Sequence, residues 1–182
     1  DEATELSWSA SSASINFTGT GVKATLKDEH AGNFINVIVD GKVVSVLQAD
    51  SVKKEYTLAS GLPAGKHTVE LFKRTEWTMG KVWIYQFALD KGSLTLAAPP
   101  VNKRKIEFYG NSITCGYADI DTTGQDRGTA RYENGYLSYA TLTAKHFDAE
   151  FNVIARSGIG ILVSWFPQIM PEMYDRSDPT DS

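Results

Sequence analysis

The sequence predicts two domains, an all-β sandwich or jelly roll followed by an α/β unit built on a parallel sheet. Through about the first hundred residues, short runs alternate apolar and polar side chains between turn residues. A proline pair within 97–102 then interrupts the pattern, because proline fixes φ and cannot donate to a ladder. Beyond it the texture becomes strand, helix, strand, helix, the order from which parallel sheets are made.

The elements follow in order. Ala13, Ile15 and Phe17 alternate with Ser14, Asn16 and Thr18; Val22, Ala24 and Leu26 resume after a Gly-Thr-Gly turn. Ile35, Val37 and Val39 form a third strand that ends at Asp40-Gly41, a strong hairpin signal, with 43–47 returning. Tyr56 and Leu58 precede a turn over 61–65, and Val69 and Leu71 follow it. Residues 82–89 make a longer aromatic strand, and Leu94 and Leu96 close the series. Past the linker, 106–109 reads as a strand, 119–128 as a polar loop and 136–147 as a helix carrying Leu137, Ala140, Leu142, Ala144 and Phe147. Residues 151–155 form a second apolar strand. Trp165, Ile169, Met170 and Met173 suggest a last helix, interrupted near Pro171. Two strands are too few for a parallel sheet that needs both faces covered, so the second domain is expected to be incomplete in this chain.

Bulk properties exclude some partners. A net charge of −4 supplies no positive field for a phosphate backbone, so nucleic acid is not expected. No apolar run approaches the ~18 residues of a membrane span. One cysteine, Cys115, permits no internal disulfide and leaves the compartment open. No signal peptide is visible, and the chain starts at Asp1 with polar residues, as a mature or a trimmed protein would.

The strongest chemical signal is Lys105-Ile106-Glu107-Phe108-Tyr109-Gly110-Asn111-Ser112-Ile113-Thr114-Cys115-Gly116-Tyr117. A strand running into a glycine turn would present the Ser112 hydroxyl at the strand's carboxyl end. A serine there can attack a carbonyl and offer its own N–H to the oxyanion. The competing reading is that Ser112 caps the helix that follows. Gly158 and Gly160 follow the second strand, where open α/β sheets place ligands, and could present a bare N–H; on local grounds alone a plain turn is the favoured reading.

His30, His67 and His146 have no evident route to Ser112, and His146 reads as a residue complementing a helix C-terminus. Cys115 reads as a small buried residue. Asp119, Asp121, Asp126 and Glu133 read as a solvated acidic face. Tyr117, Tyr132, Tyr136 and Trp165 suit either sugar stacking or core packing. No His, Asp or Glu cluster has metal-ligand spacing.

The order of motifs resembles carbohydrate esterase family 2, within the SGNH (GDSL-like) hydrolases. The resemblance rests on the Ser112 block, on Glu133-Asn134-Gly135-Tyr136-Leu137-Ser138-Tyr139, and on Ser157-Gly158-Ile159-Gly160. Tyr56-Thr57-Leu58-Ala59-Ser60-Gly61-Leu62 and Gly65-Lys66-His67-Thr68-Val69-Glu70-Leu71 are similar to the family's jelly-roll domain. It implies a jelly roll over 1–98 and, over 103–182, the first part of an SGNH three-layer αβα domain. It implies a secreted or periplasmic serine esterase, any signal peptide removed, that takes O-acetyl groups from polysaccharides such as xylans and mannans through an acyl-enzyme, without a cofactor. Ser112 falls on the nucleophile, and Ser112 and Gly158 on two oxyanion donors. The family's catalytic histidine and oxyanion asparagine are not in this chain, so the rest of the domain is an expected partner, in the same protein or as a separate fragment. Asn111 replaces the family's aspartate before the serine, a position that is neither nucleophile nor base. The alternative is a carbohydrate-binding jelly roll fused to an inactive hydrolase remnant.

Overall fold

The computed structural model describes residues 2–98 and 101–180, so Pro99 and Pro100 of the expected linker lie outside the described residues. Alternation places apolar side chains on one face of each strand, and two antiparallel sheets bury those faces together. One sheet has the order β5-β4-β7-β2-β9, from Lys42–Leu47, Ile35–Val39, Gly65–Lys73, Ser12–Gly19 and Thr95–Leu96. The other has the order β1-β8-β3-β6, from Thr4–Leu6, Val82–Leu89, Val22–Asp28 and Lys54–Ala59. Phe17, Val22, Leu26, Ile35, Leu71 and Val82 fill the space between them, none more than 1% exposed. The β4–β5 hairpin turns at Asp40, whose carboxylate accepts the Thr68 N–H at 2.9 Å and pairs with His67 Nδ1 at 2.7 Å.

Strand β1 was not expected. It is three residues long, too short to show alternation, and is held by pairing Thr4 with Ile84 and Leu6 with Val82.

After residue 101, β10 (Lys105–Gly110) and β11 (Glu150–Ala155) form a parallel pair, in register from Lys105 opposite Glu150 to Gly110 opposite Ala155. Between them lie the short helix α1 (Ser112–Cys115) and the helix α2 (Tyr139–His146). Helix α2 starts later than its apolar spacing predicts. The Gly135 carbonyl accepts both Ser138 Oγ at 3.0 Å and Thr141 Oγ1 at 2.6 Å, and Tyr136 leaves the helix to meet the Phe72 ring edge-on at 5.1 Å.

The expected last helix is a correction: 165–173 holds only a 3-10 turn at Met170–Glu172. Pro167 and Pro171 each remove a backbone donor. The apolar residues there also serve different surfaces, since Met173 is fully buried beside Ile154 and Ile159 while Trp165 is 91% exposed.

The parallel pair packs on the sandwich. Ala10, Ile38 and Phe72 share one apolar cluster with Cys115, Ala140, Val153 and Ala155. Polar ties accompany it: Trp8 Nε1 donates to the Ser177 carbonyl at 3.1 Å, and Lys81 Nζ bridges Glu5 at 2.9 Å and Asp178 at 2.5 Å. Among the described residues no helix is long and apolar enough to cross a membrane.

Candidate active site

Ser112 stands where β10 gives way to α1. Gly110 ends the strand, and any side chain there would overlap Thr114. Asn111 is the helix cap: its Oδ1 accepts the Ile113 N–H at 3.2 Å, and its carbonyl accepts Thr114 N at 3.0 Å and Cys115 N at 3.1 Å. Ser112 is therefore the first helical residue and not the cap. Its side chain is half-buried, and among the described residues nothing hydrogen-bonds to its Oγ or to its N–H. A half-buried serine held here without a protein partner leaves its hydroxyl open to solvent or to a ligand.

The second strand end lies alongside. Ala155 pairs with Gly110, and the Arg156 N–H donates to the Gly110 carbonyl at 3.2 Å. Gly158 has φ +82, a left-handed conformation that side chains disfavour, and the Trp165 indole packs against its Cα, 2.8 Å from where a Cβ would stand. The Trp165 backbone N–H donates to the Gly158 carbonyl at 3.0 Å, holding the Gly158–Ile159 peptide. The two glycines differ in use. Gly160 N–H is taken by Ser164 Oγ at 3.0 Å, whereas that of Gly158 has no partner among the described residues. Ser112 and Gly158 thus come to neighbouring strand ends, each with an unspent backbone donor.

No histidine joins them among the described residues. His67 commits both ring nitrogens, to Asp40 at 2.7 Å and to the Pro63 carbonyl at 2.8 Å, and these contacts raise its pKa. His30 is exposed beside Glu29, and His146 ends α2 with its ring edge-on to Phe147.

The acidic segment is only partly a solvated face. Thr123 hydroxyl and N–H and Asp126 N–H all donate to Asp121, holding its carboxyl at about 2 and shaping the loop. Glu133 is a correction: it is fully buried against the end of β7. Its Oε2 accepts the Glu76 N–H at 2.9 Å, its carbonyl accepts Arg74 Nε at 2.9 Å, and burial pushes its carboxyl up to about 7. Lys73, equally buried, donates to the carbonyls of Thr75 and Glu76 and is pulled down to about 8 by burial. Cys115 is buried as expected, and burial raises its thiol pKa.

Sequence reasoning missed Glu76. It follows the charged run Lys73-Arg74 at a strand end, which looks like any solvated turn. Its burial arises only from packing between distant parts of the chain.

Of the four aromatics, Tyr136 packs inward, under Lys145 Nζ at 3.0 Å from its ring centre, Tyr117 and Tyr132 are half-buried, and only Trp165 is open. A cavity of about 480 Å³ lined by Trp8, Glu107, Tyr109 and Tyr174 lies elsewhere and does not include Ser112. Among the described residues no three His, Cys, Asp or Glu side chains are placed to hold a metal ion.

A sandwich followed by a serine at the end of a parallel strand is an arrangement that comparison with known proteins assigns to a family. The family model for the carbohydrate esterase 2 N-terminal region matches residues 1–100. The chain belongs to carbohydrate esterase family 2. It is similar to the cellulase/esterase CelE of Acetivibrio thermocellus, 39% identical over 93% of this chain and 20% of that protein. An acetylxylan esterase / glucomannan deacetylase of Cellvibrio japonicus is 32% identical over 85% of this chain and 42% of its own length. A family two carbohydrate esterase from Clostridium thermocellum, solved in complex with cellohexaose, superposes with a TM-score of 0.90 at 35% identity, covering 96% of this chain and 54% of that one. The chain therefore spans between 20% and 54% of the length of these relatives.

Proposed function

We propose that this chain is the substrate-facing first part of a secreted serine esterase that removes O-acetyl groups from plant cell-wall polysaccharides such as xylan or mannan. Residues 1–98 form its jelly roll, and 103–182 begin an SGNH three-layer hydrolase domain whose remainder supplies the base. The observation that carries this reading is the unpartnered Ser112 hydroxyl, with the unspent N–H groups of Ser112 and Gly158 on the segments that leave two paired strand ends.

The chemistry follows from those positions. Ser112 Oγ attacks the acetyl carbonyl as a base takes its proton, and the carbonyl oxygen becomes an oxyanion. The N–H groups of Ser112 and Gly158 stabilise that charge as it forms, where their contribution is greatest. Return of the proton to the sugar oxygen releases the polysaccharide and leaves an acetyl-serine. Water, activated by the same base, then frees acetate. The base is assigned to a histidine outside these residues, as the resemblance to carbohydrate esterase family 2 implies.

Turnover of p-nitrophenyl acetate by the full-length protein tests the assignment. Ser112→Ala is expected to lower kcat by about a thousand-fold or more. Equal turnover in parent and variant would remove Ser112 from the reaction. The cellohexaose bound in the similar structure favours polysaccharide as ligand under either reading, so retention on insoluble mannan without turnover would identify a binding module.

A further inference from the structure

The connection from β7 to β8 belongs to the sandwich, yet it grips the turn that carries Gly158. Glu76, 3% exposed, reaches across so that its Oε2 accepts the Ser157 N–H at 2.9 Å. The same oxygen accepts the Cys115 Sγ–H at 3.7 Å, on the last residue of α1. One carboxylate oxygen thus touches both elements that present an unspent N–H, α1 through Cys115 and the turn through Ser157. Only the φ and ψ of Ser157 separate its N–H from the peptide that carries the Gly158 N–H, so fixing the first peptide plane constrains the second.

Neighbouring contacts hold the carboxylate in place. The Glu76 N–H is anchored on Glu133 Oε2 at 2.9 Å, and its carbonyl accepts Lys73 Nζ at 3.0 Å. Trp77 lies 4.8 Å from the Arg156 guanidinium, which also stacks 3.4 Å from the Phe166 ring centre and donates to Gln168 Oε1 at 2.7 Å. Consecutive sandwich residues, Glu76 and Trp77, therefore grip consecutive residues of the turn, Ser157 and Arg156.

We propose that Glu76 is a positioning residue for ester hydrolysis, a part of the sandwich that aims the Gly158 N–H at the point Ser112 attacks. This rests on the reading of Ser112 and Gly158 given above. It makes the sandwich a component of the active site's geometry and not only an appended module.

The test uses the full-length protein with p-nitrophenyl acetate, and reads amide hydrogen exchange at Ser157 separately. Glu76→Ala is expected to lower kcat about a hundred-fold with KM within about three-fold, the size of losing one oxyanion donor. Glu76→Gln, which keeps an acceptor oxygen, is expected to recover at least about ten-fold of that loss, and Glu76→Asp, which keeps the charge but shortens the reach, is not. Exchange at Ser157 is expected to quicken in the Ala and Asp variants and to stay slow in the Gln variant. Leu58→Val, a buried change in the separate cluster inside the sandwich, controls for lost stability. The proposal is overturned if kcat in Glu76→Ala, or in Glu76→Asp should the first not fold, falls no further than in Leu58→Val. It is equally overturned if exchange at Ser157 does not respond. If Ser112→Ala keeps parental turnover while exchange at Ser157 still responds, the nucleophile reading has failed and the Glu76 grip has not.

Discussion

Glu133 and Lys73 are buried together at the end of β7, and burial moves their pKa values toward neutrality from opposite sides. Glu133 is raised from 4.5 to about 7, so between those values the folded chain holds a proton that the unfolded chain has released. Its contribution to stability therefore falls as pH rises through that window. Lys73 is lowered from 10.5 to about 8, so there the unfolded chain holds the extra proton and stability rises with pH. Each slope is at most ~1.4 kcal/mol per pH unit. Urea denaturation of Glu133→Gln between pH 4.5 and 7 is expected to lack the decline that the parent shows, and an equal decline in both would refute the assignment. Neither this pair nor Glu76 was legible in the sequence, because a charged residue at a strand end or in a polar loop reads as solvated until its tertiary neighbours are known. Ser112 was legible as a candidate because a strand followed by a glycine turn is a local signal, whereas Gly158 stood out as a donor only through the family resemblance.

Among the elements, long alternating strands were readable from side-chain period alone, while β1 was too short and the last helix dissolved into a turn between prolines. The serine elbow itself depends on local capping. Asn111→Ala is expected to cost about 1 kcal/mol by removing the acceptor for the Ile113 N–H, whereas Asn111→Asp keeps an acceptor there and is expected to retain both stability and turnover. Thermal unfolding and p-nitrophenyl acetate kinetics on the two variants check this. A large loss of turnover in Asn111→Asp with unchanged stability would give Asn111 a chemical role that its geometry does not indicate.

At the scale of the molecule, the sandwich and the parallel pair share one apolar cluster, with Phe72 1% exposed at its centre and edge-on to Tyr136. Phe72→Ala is expected to destabilise both together by about 3–5 kcal/mol, lowering the urea midpoint of a single transition seen by probes in each. Separate transitions, with only one of them shifted, would show that the two parts fold independently. The polar ties across the same junction give the sandwich its proposed hold on the Gly158 turn. Ser112 as the nucleophile is tested most directly by labelling the full-length protein with a fluorophosphonate and mapping the adduct. The adduct is expected on the peptide containing Ser112, with turnover lost in proportion to labelling and no adduct in Ser112→Ala. Loss of turnover with the adduct on another residue, or a fully labelled Ser112 with turnover intact, would contradict it.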